Sequence, residues 1–312
     1  MRVLHIANPV GISTDTTRFL REHGHKSDVM IFLTRSLMHG CDFYHPINCY
    51  FEMPFIKMWN IAKRVSNYDI IHINSHSGLP HFLDLPLWRT LGKKIVLFYH
   101  GSDVRGKTEY ACAKFADIKL VSTPDLLQYV NDGVWLPVPI DLGRLECIGI
   151  NDKKPSDKIR IVHAAATREH GIITKGTNQI EEIISELDNK FNIEYVPVFD
   201  VPNTVAYETY KKADIIIDQI KVGWYGKLSI EAMALGKPVV CYVNGKYADM
   251  HVPVCNCGPD GRWLKQKLVE LIELPELRKK CSILGRQYVQ EVHDYNKIMY
   301  KLMNIYETIL NK

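Results

Sequence analysis

The sequence lacks the features that mark a membrane, secreted, dinucleotide-binding or nucleic-acid-binding protein. Its longest apolar runs, such as Ile95–Tyr99, are far shorter than the roughly 20 residues that cross a bilayer. Polar residues follow too soon after Met1 for a secretory signal. The first loop, Asn8–Ser13, has one glycine and no G-x-G-x-x-G, which argues against a bound dinucleotide. The 39 basic and 35 acidic side chains leave a net charge of only +4, so we expect no nucleic-acid partner.

Cysteine and histidine are present without the spacing of a metal site or a disulfide framework. The eight cysteines are scattered, and most lie among apolar residues, as Cys241 does, which favours reduced thiols in a cytoplasmic protein. Cys255-Asn256-Cys257 has no second Cys or His pair at zinc spacing. His72 and His76 fall on a strand end rather than on one helix face. We therefore predict no metal site.

What the sequence does have is a repeated alternation of short β-branched runs and longer helical patterns. Its 312 residues suit two domains of roughly 150 each, and 46% hydrophobic residues can fill two cores. The alternation stops at the polar segment 151–158, which contains a proline, and then starts again. The pattern predicts an α/β fold with two doubly wound, Rossmann-like domains and a cleft between the carboxyl ends of their strands.

The most informative stretch is Gly223–Val240. It reads as a glycine-containing loop, a helix that ends at Gly236, and a buried strand. Glycines allow the backbone to approach a ligand closely, and the N–H groups at a helix start favour phosphate. Glu231, one turn into the helix, could accept hydrogen bonds from vicinal hydroxyls such as those of a ribose. The alternative is an ordinary loop between strand and helix, with Glu231 as a solvated acid.

The run Glu231-Ala-Met-Ala, followed by Leu235-Gly-Lys-Pro-Val-Val, resembles the nucleotide-sugar segment of retaining glycosyltransferases with the GT-B fold, the group 1 or family 4 class. The resemblance extends over most of the chain and is strongest in residues 159–245. It implies that Glu231 binds the ribose of the donor. It also implies that the preceding loop and helix start approach the diphosphate or the sugar, which concerns Tyr225, Gly226, Lys227 and Leu228.

The sequence departs from the family pattern at Gly223. Many family members have a glutamate eight positions before the one matched by Glu231, and that glutamate contacts the donor sugar. Asp218 or Lys221 would have to take over this contact here. The departure keeps two alternatives open. One is a non-catalytic protein that binds sugar nucleotides or glycans, and the other is a different GT-B sugar-nucleotide enzyme such as an epimerase.

Two cations are predicted to hold the leaving diphosphate. Arg168 follows the strand Ile161–Ala164, and Lys175 precedes a helix that begins near Thr177. Cations beside a helix N-terminus stabilise the negative charge that develops as the glycosidic bond breaks. In the resembling family an arginine and a lysine of this segment bind the phosphates, so we expect Arg168 and Lys175 to be catalytic. The family's gap between them is shorter, which predicts a longer loop over 169–174.

The N-terminal half carries the candidates for the acceptor side. His100 follows the apolar strand 94–99, at the edge where the cleft is predicted, and the family has a donor-sugar histidine at the matching position, so we count it as catalytic. Asp103 or Arg105, which lie nearby, would contact the acceptor, and His76 follows another strand near the acceptor. Gly11 lies in the loop that the family uses on the acceptor or phosphate side. Local hydrogen bonding of the histidines is the alternative.

The resemblance implies a transferase of the hexosyltransferase type in polysaccharide biosynthesis. The expected donor is a UDP- or GDP-sugar, which is a substrate, with no further cofactor. The acceptor is a glycan, a lipid-linked sugar or a small molecule. No D-x-D motif occurs, so we expect transfer without a metal. The implied domains are 1–150 on the acceptor side, 151–290 on the donor side, and a helix in 291–312 that packs back on the first.

The segment 51–64 raises the question of a membrane surface. It predicts an amphipathic helix that either faces the core or touches a membrane or a lipid-linked acceptor. We expect a cytoplasmic protein, with the inner face of the cytoplasmic membrane as an alternative location. The apolar residues that share one face of this helix are Phe55, Met58, Trp59 and Ala62.

Overall fold

A computed structural model of the chain describes residues 1–32, 40–44, 54–147 and 158–312. The chain divides into two compact units, which we call unit 1 and unit 2. Unit 1 comprises Met1–Pro139 and Asn296–Lys312, and unit 2 comprises Ile140–Tyr295.

Twelve strands are described in the two units. In chain order they are β1 (Arg2–Ile6), β2 (Lys26–Ile31), β3 (Phe43–Tyr44), β4 (Ile70–Asn74), β5 (Lys94–Tyr99), β6 (Ile118–Val121), β7 (Gly133–Trp135), β8 (Ile159–Ala164), β9 (Ile193–Val198), β10 (Ile215–Ile217), β11 (Val239–Cys241) and β12 (Cys255–Asn256).

The helices of the described residues fall between these strands and after the last one. They are α1 (Ile12–Glu22), α2 (Pro54–Val65), α3 (Leu85–Thr90), α4 (Leu142–Cys147), α5 (Arg168–His170), α6 (Thr177–Asp188), α7 (Asn203–Lys212), α8 (Lys227–Ala234), α9 (Leu264–Glu273), α10 (Pro275–Val292) and α11 (Tyr295–Leu310).

Both sheets are parallel and doubly wound. The order in unit 1 is β3-β2-β1-β4-β5-β6-β7, and the order in unit 2 is β12-β11-β10-β8-β9. The strand order therefore reverses between β1 and β4 in unit 1 and between β8 and β10 in unit 2. Ligands of such sheets bind at the carboxyl edge of this switch point. The predicted class of two doubly wound α/β sheets is confirmed.

Each unit has its own apolar core because the strands are covered by helices on both faces. One face of the unit 1 sheet packs against α11, whose inward residues recur at the three- and four-residue spacing seen in the sequence. In unit 2 the sheet packs against α6 and α9. The α11 residues in the unit 1 core are Ile298, Leu302, Tyr306 and Ile309.

One predicted feature differs in the structure, and another falls almost entirely outside the described residues. A turn of 3-10 helix (Pro80–Phe82), in which His81 and Phe82 have positive φ, precedes α3. Residues 169–174 are helical rather than a long loop, since α5 continues as a π-helical turn over Gly171–Lys175. The predicted linker 151–158 lies outside the described residues except for its last residue.

The segment 51–64 is only partly described. Its helix is α2, and on it Ile61 is buried whereas Trp59 is 73% exposed. Ala62 packs partly against the unit 1 core. The side chains of Phe55 and Met58 lie outside the described residues. Over the described parts of the chain, no helix has both the length and the apolar character needed to cross a membrane.

Candidate functional site

The ammonium group of Lys175 lies at the switch point of unit 2. Its Nζ donates to the carbonyl of Ala164, the last residue of β8, at 2.9 Å. It also donates to Oδ1 of Asp218, directly after β10, at 2.7 Å. An ammonium group has three N–H donors, so these contacts use two of them. The side chain is 16% exposed, and one donor is left for a ligand at this edge.

Asp218 joins Lys175 to the start of α8. Its carboxylate is fully buried and accepts from the backbone N–H of Gly226 at 2.9 Å and from the Ser229 hydroxyl at 2.6 Å. Burial alone would raise the pKa of Asp218. The charge of Lys175 and the three donated hydrogen bonds outweigh burial and lower the pKa below its ordinary value. Asp218 is therefore an ionised anchor, and it cannot also reach out to a donor sugar.

The conformation of the turn at Lys175 depends on Gly176 and on the buried His163. Gly176 has φ of +85°, and a Cβ at this position would lie 2.6 Å from Ile220, so only glycine fits. His163 donates from Nδ1 to the carbonyl of Ile217 at 2.9 Å, and its Nε2 accepts from the Thr177 hydroxyl at 2.8 Å. Burial lowers the pKa of His163 to about 4, so the ring is neutral. These bonds hold the first residue of α6 against the sheet.

Glu231 lies in α8 one turn after this anchor, and it is 8% exposed. The Tyr207 hydroxyl of α7 donates to Oε1 at 2.8 Å, and Lys227 Nζ lies 3.6 Å from the same oxygen. Burial raises the pKa of Glu231, although the charge of Lys227 and the hydrogen bond from Tyr207 oppose it. Because both contacts go to Oε1, Oε2 is the oxygen that can accept from a ligand.

The loop before α8 has a conformation that requires glycine. Gly223 has φ of +82°, and an added Cβ would lie 3.4 Å from the Tyr242 ring and 3.5 Å from Asn244. A glutamate here would be strained because L side chains rarely adopt this φ. Gln219 braces the loop, accepting from the N–H of Val222 at 2.6 Å and donating to the carbonyl of Trp224 at 2.7 Å.

Two of the predicted donor residues are buried at the side chain. The Tyr225 hydroxyl contacts the hydroxyl of Tyr288 at 3.0 Å and Nε2 of His293 at 2.8 Å, so its ring points into unit 2. Leu228 is 6% exposed. Tyr225 and Leu228 can therefore meet a ligand only through their backbone, whereas the side chain of Lys227 is partly exposed.

Arg168 and Lys175 contact different carboxylates. The guanidinium of Arg168 forms a two-pronged ion pair with Glu181 of α6, at 2.9 Å and 2.5 Å. It also lies 5.5 Å from the centre of the Phe199 ring. Among the described residues, none of its contacts is to Lys175 or Asp218. The structure brings Lys175, Asp218 and the start of α8 together but leaves Arg168 about half exposed at the side of α6.

A second polar network lies at the switch point of unit 1. His100 Nε2 donates to Oδ1 of Asn74, the last residue of β4, at 3.1 Å. Asn74 Nδ2 donates to the Ser13 hydroxyl at 3.0 Å, which in turn donates to the carbonyl of Ala7 at 2.6 Å. Burial lowers the pKa of His100 to about 4, against the charge of Asp103. The network is therefore uncharged and spans the ends of β1, β4 and β5.

The backbone is strained at the same edge. Ala7 after β1 and Ser75 after β4 have φ of 65° and 67°. Non-glycine residues held in this region cluster at functional sites, since surrounding contacts must support the strain. Gly11, with φ of 83°, precedes the first residue of α1 and allows the chain to turn there.

The remaining acceptor candidates, Asp103 and His76, lie in the loops after β5 and β4. Asp103 accepts from the backbone N–H groups of His100 and Gly101, at 2.9 Å and 2.8 Å, so it shapes the loop after β5. His76 is partly buried, and its Nε2 is without a hydrogen-bond partner among the described residues. Burial lowers the pKa of His76.

The loop after β5 also matches a phosphate-binding P-loop pattern. Gly101–Thr108 reads G-x-x-x-x-G-K-T. A P-loop leads from a strand directly into a helix, whose N-terminus faces the phosphates. Here the chain only turns over 101–107, the next helical piece is the short 3-10 helix Ala111–Phe115, and Lys107 Nζ donates within the loop to the Ser102 carbonyl at 2.5 Å. The structural context that would confirm the motif is missing.

Metal ligation finds no support in the described parts of the chain, where no three His, Cys, Asp or Glu side chains converge. The two cysteines of Cys255-Asn256-Cys257 lie in different surroundings. Cys257 is fully buried in the unit 2 core, and Cys255 is partly buried against Cys281.

Sequence reasoning did not assign several residues that build these networks. Asp218 was considered only as a sugar contact, although it anchors Lys175. Asn74 and Asp218 each end or follow an apolar strand, and a polar side chain at that position is a signal the sequence does carry. Tyr207, Gln219 and Ser13 carry no such signal, because only the packing of neighbouring elements brings them to the site.

Comparison with known proteins supports the fold. No protein-family profile and no curated protein sequence matches the chain. A glycosyltransferase from Rickettsia africae is similar in structure, with a TM-score of 0.73, 16% identity, and coverage of 99% of this chain and 98% of that one. Anabaena HepE, solved with UDP and glucose, has a TM-score of 0.69 at 12% identity over 98% and 99% of the chains.

A sucrose-phosphate synthase from Thermosynechococcus elongatus is also similar, with a TM-score of 0.66, 15% identity and full coverage of both chains. At such identities the similarity establishes the fold. The chain has the GT-B-type fold of these glycosyltransferases.

Proposed function

We propose that the protein is a glycosyltransferase that moves a sugar from a nucleotide-diphospho-sugar to an acceptor. The observation that carries this proposal is the network at the switch point of unit 2. There Asp218 joins the cation Lys175 to the start of α8, and Glu231 follows one turn later. A cation, a helix N-terminus and a carboxylate match the diphosphate and the ribose of one nucleotide.

Different residues of unit 2 bind the diphosphate and the ribose of the donor. The remaining N–H of Lys175 and the first turn of α8 bind a diphosphate oxygen. When the bond between the sugar carbon and the diphosphate oxygen breaks, the negative charge that develops there is stabilised by Lys175. Glu231 binds the ribose hydroxyls through Oε2. Arg168 acts as the second cation. To bind the diphosphate, its guanidinium has to share or release its ion pair with Glu181.

The similar structures support a nucleotide-sugar donor. HepE has been solved with UDP and glucose, and an α-glucosyltransferase with UDP has a TM-score of 0.64 at 12% identity. We therefore favour a UDP-sugar over a GDP-sugar. The resemblance of the sequence to the family 4 class favours retention of configuration and a hexosyl donor. Transfer proceeds without a metal, since Lys175, Arg168 and the helix start supply the positive charge.

Unit 1 provides the acceptor contacts in this proposal. Its uncharged network suits hydroxyl groups, and the candidate residues are His100, His76, Asp103 and Gly11. The acceptor is a glycan, a lipid-linked sugar or a small molecule. The proposed location is the cytoplasm, with contact to the inner membrane face through α2 if the acceptor is lipid-linked.

One observation favours a second candidate, a sugar-nucleotide-binding protein without turnover. Gly223 stands where the resembling family has the glutamate that contacts the donor sugar, and its positive φ would strain the backbone of a glutamate there. Asp218 is fully engaged, so it does not replace the missing carboxylate.

A thermal-shift screen with UDP-, GDP-, ADP- and CMP-sugars tests the proposal. Stabilisation grows with the ligand concentration above its Kd, so we expect one donor to raise the Tm most. Release of free nucleotide from that donor identifies an enzyme, and binding without release identifies the second candidate. If none of the sugar nucleotides raises the Tm, both candidates are wrong.

A further inference from the structure

Two cysteine thiols in unit 2 lie in direct contact, and neither takes part in the proposed sugar transfer. The Sγ atoms of Cys255 in β12 and Cys281 in α10 are 3.6 Å apart. Both residues are partly exposed, whereas Cys241 and Cys257 are fully buried. The pair therefore combines two sulfur atoms at reacting distance with access for a small solute.

The two thiols change each other's acidity in opposite directions. The hydrogen bond from Cys255 lowers the pKa of Cys281 to about 7, against the effect of burial and with help from the charge of Lys280. The same hydrogen bond, together with burial, raises the pKa of Cys255. At neutral pH a substantial fraction of Cys281 is thus thiolate, while Cys255 remains a thiol. This is the pattern of an attacking cysteine beside a resolving one.

We propose that Cys255 and Cys281 form an oxidation site that reacts with hydroperoxides and closes to a disulfide. The Cys281 thiolate attacks the terminal oxygen of ROOH, and the O–O bond breaks. Cys281 becomes a sulfenic acid, and the leaving RO⁻ takes a proton to form ROH. The Cys255 sulfur then attacks the sulfenic sulfur, and the hydroxyl group leaves with the Cys255 proton as water.

The reaction is balanced. Two thiols and one hydroperoxide give one disulfide, one alcohol and one water, and the two electrons pass from the sulfurs to the peroxide. A dithiol reductant returns the disulfide to two thiols and is itself oxidised to a disulfide. The alternative use of the pair, a metal site, lacks ligands, because zinc takes four and no third ligand converges among the described residues.

Closing the bond needs a small movement. The sulfur atoms have to approach from 3.6 Å to the disulfide length of about 2.05 Å. β12 is a strand of two residues at the sheet edge, and its pairing is with β11 alone among the described strands. The opposing Cys281 lies within the long helix α10, next to Ser282, whose hydroxyl donates to the Gly236 carbonyl. The edge strand is therefore the part that moves.

Peptide mapping of the oxidised full-length protein tests the proposal without any sugar-transfer assay. The reduced protein is treated with hydrogen peroxide near one equivalent, alkylated, digested without reductant and examined by mass spectrometry. We expect a cross-linked peptide that contains Cys255 and Cys281, and its loss after dithiothreitol. The absence of that peptide, or bridges spread evenly over other cysteine pairs, overturns the proposal whether or not the protein transfers sugar.

Two variants separate the roles of the thiols. C255S is expected to stop at a sulfenic acid on Cys281, which dimedone traps, and C281S is expected to leave Cys255 unoxidised. C112S, which removes a partly exposed cysteine of unit 1, should form the bridge at the wild-type rate. The wild-type rate should rise with pH and level off above the Cys281 pKa of about 7. Equal oxidation of Cys255 in C281S, or a rate independent of pH, contradicts the assignment.

Discussion

The carboxyl edge of each sheet carries one polar network, and the two networks differ in charge. In unit 2 an ion pair between Lys175 and the buried Asp218 lies at the switch point. In unit 1 the bonds run between neutral groups, from His100 through Asn74 to Ser13. An ion pair with a spare N–H suits a phosphate, whereas neutral donors and acceptors suit hydroxyls. The same topological position thus carries a charged network in one unit and a neutral network in the other.

Removing the cation of unit 2 should have the largest effect. In Lys175→Met we expect turnover to fall about 10²- to 10³-fold, as when one stabilising donor of a transition-state charge is lost. The buried Asp218 also loses its partner, which costs about 3–5 kcal/mol of stability and raises the pKa of Asp218. Steady-state kinetics and thermal unfolding measure the two losses.

The double variant Lys175→Met/Asp218→Asn separates these effects. It removes the unpaired buried charge, so the Tm should recover in part while turnover stays low. Lys265→Met is the matched control, because Lys265 forms an exposed ion pair with Glu186, outside the network of Lys175 and Asp218. Turnover restored in the double variant would mean that Lys175 has only a structural role.

The second-largest expected effect is that low pH destabilises unit 1 more than unit 2. His5 and His72 are fully buried in the unit 1 sheet with ring centres 4.9 Å apart, and burial lowers the pKa of His5 to about 3. Unfolding restores the ordinary pKa of about 6.5, so protonation favours the unfolded state. Stability is full above pH 6.5 and falls by about 1.4 kcal/mol per pH unit below it, or roughly 3 kcal/mol at pH 4 from His5 alone.

In the same acid His163 destabilises unit 2 as His5 destabilises unit 1, but His72 and His100 add to the loss in unit 1. Unit 2 should therefore lose less stability. The lowered pKa of Asp218 means that its contribution is present above the ordinary carboxyl range and is lost only at a lower pH. Hydrogen exchange at pH 4 should therefore expose β1 and β4 before β8 and β10. His5→Leu should flatten the pH dependence of unit 1, and His81→Asn at an exposed site should not. Hydrogen exchange that begins in both sheets at the same pH would contradict the predicted difference in acid stability between the units.

Breaking the neutral network should affect the acceptor without affecting the donor. In Asn74→Ala the His100 ring and the Ser13 hydroxyl both lose a buried partner, which costs about 1–3 kcal/mol. We expect a higher KM for the acceptor, or lower turnover, with the donor Kd unchanged. Calorimetry with the donor and kinetics with varied acceptor measure this. A weaker donor Kd of the same size would assign the network to the donor instead.

The strand and helix pattern of both sheets could be predicted from the sequence because parallel strands buried on both faces leave near-continuous apolar runs. His100 could be predicted as a candidate for the same reason, since it directly follows such a run, whereas the prediction of Lys175 and Glu231 rests on the resemblance of their segments to the glycosyltransferase family. The hydrogen bonds of Arg168 with Glu181 and of Tyr207 with Glu231 could not, because they join elements whose relative packing no local pattern specifies. The two-residue strands β3 and β12 are too short to leave a pattern.

The hydroxyl of Tyr207 allows the smallest and most selective test. In Tyr207→Phe the Glu231 carboxylate loses one hydrogen bond. Binding of the nucleotide-sugar donor should therefore weaken by about 1 kcal/mol, or roughly fivefold. The pKa of Glu231, already raised by burial, should rise further, since the bond from Tyr207 lowers it. Ribose binding needs the carboxylate, so affinity falls as the pH drops through this pKa, and the fall should begin at a higher pH in the variant.

Tyr210→Phe removes a hydroxyl from the same helix and should leave the pH profile of the donor Kd unchanged. If both variants shift the profile equally, the effect belongs to the packing of α7 and the role of Tyr207 in orienting Glu231 is wrong.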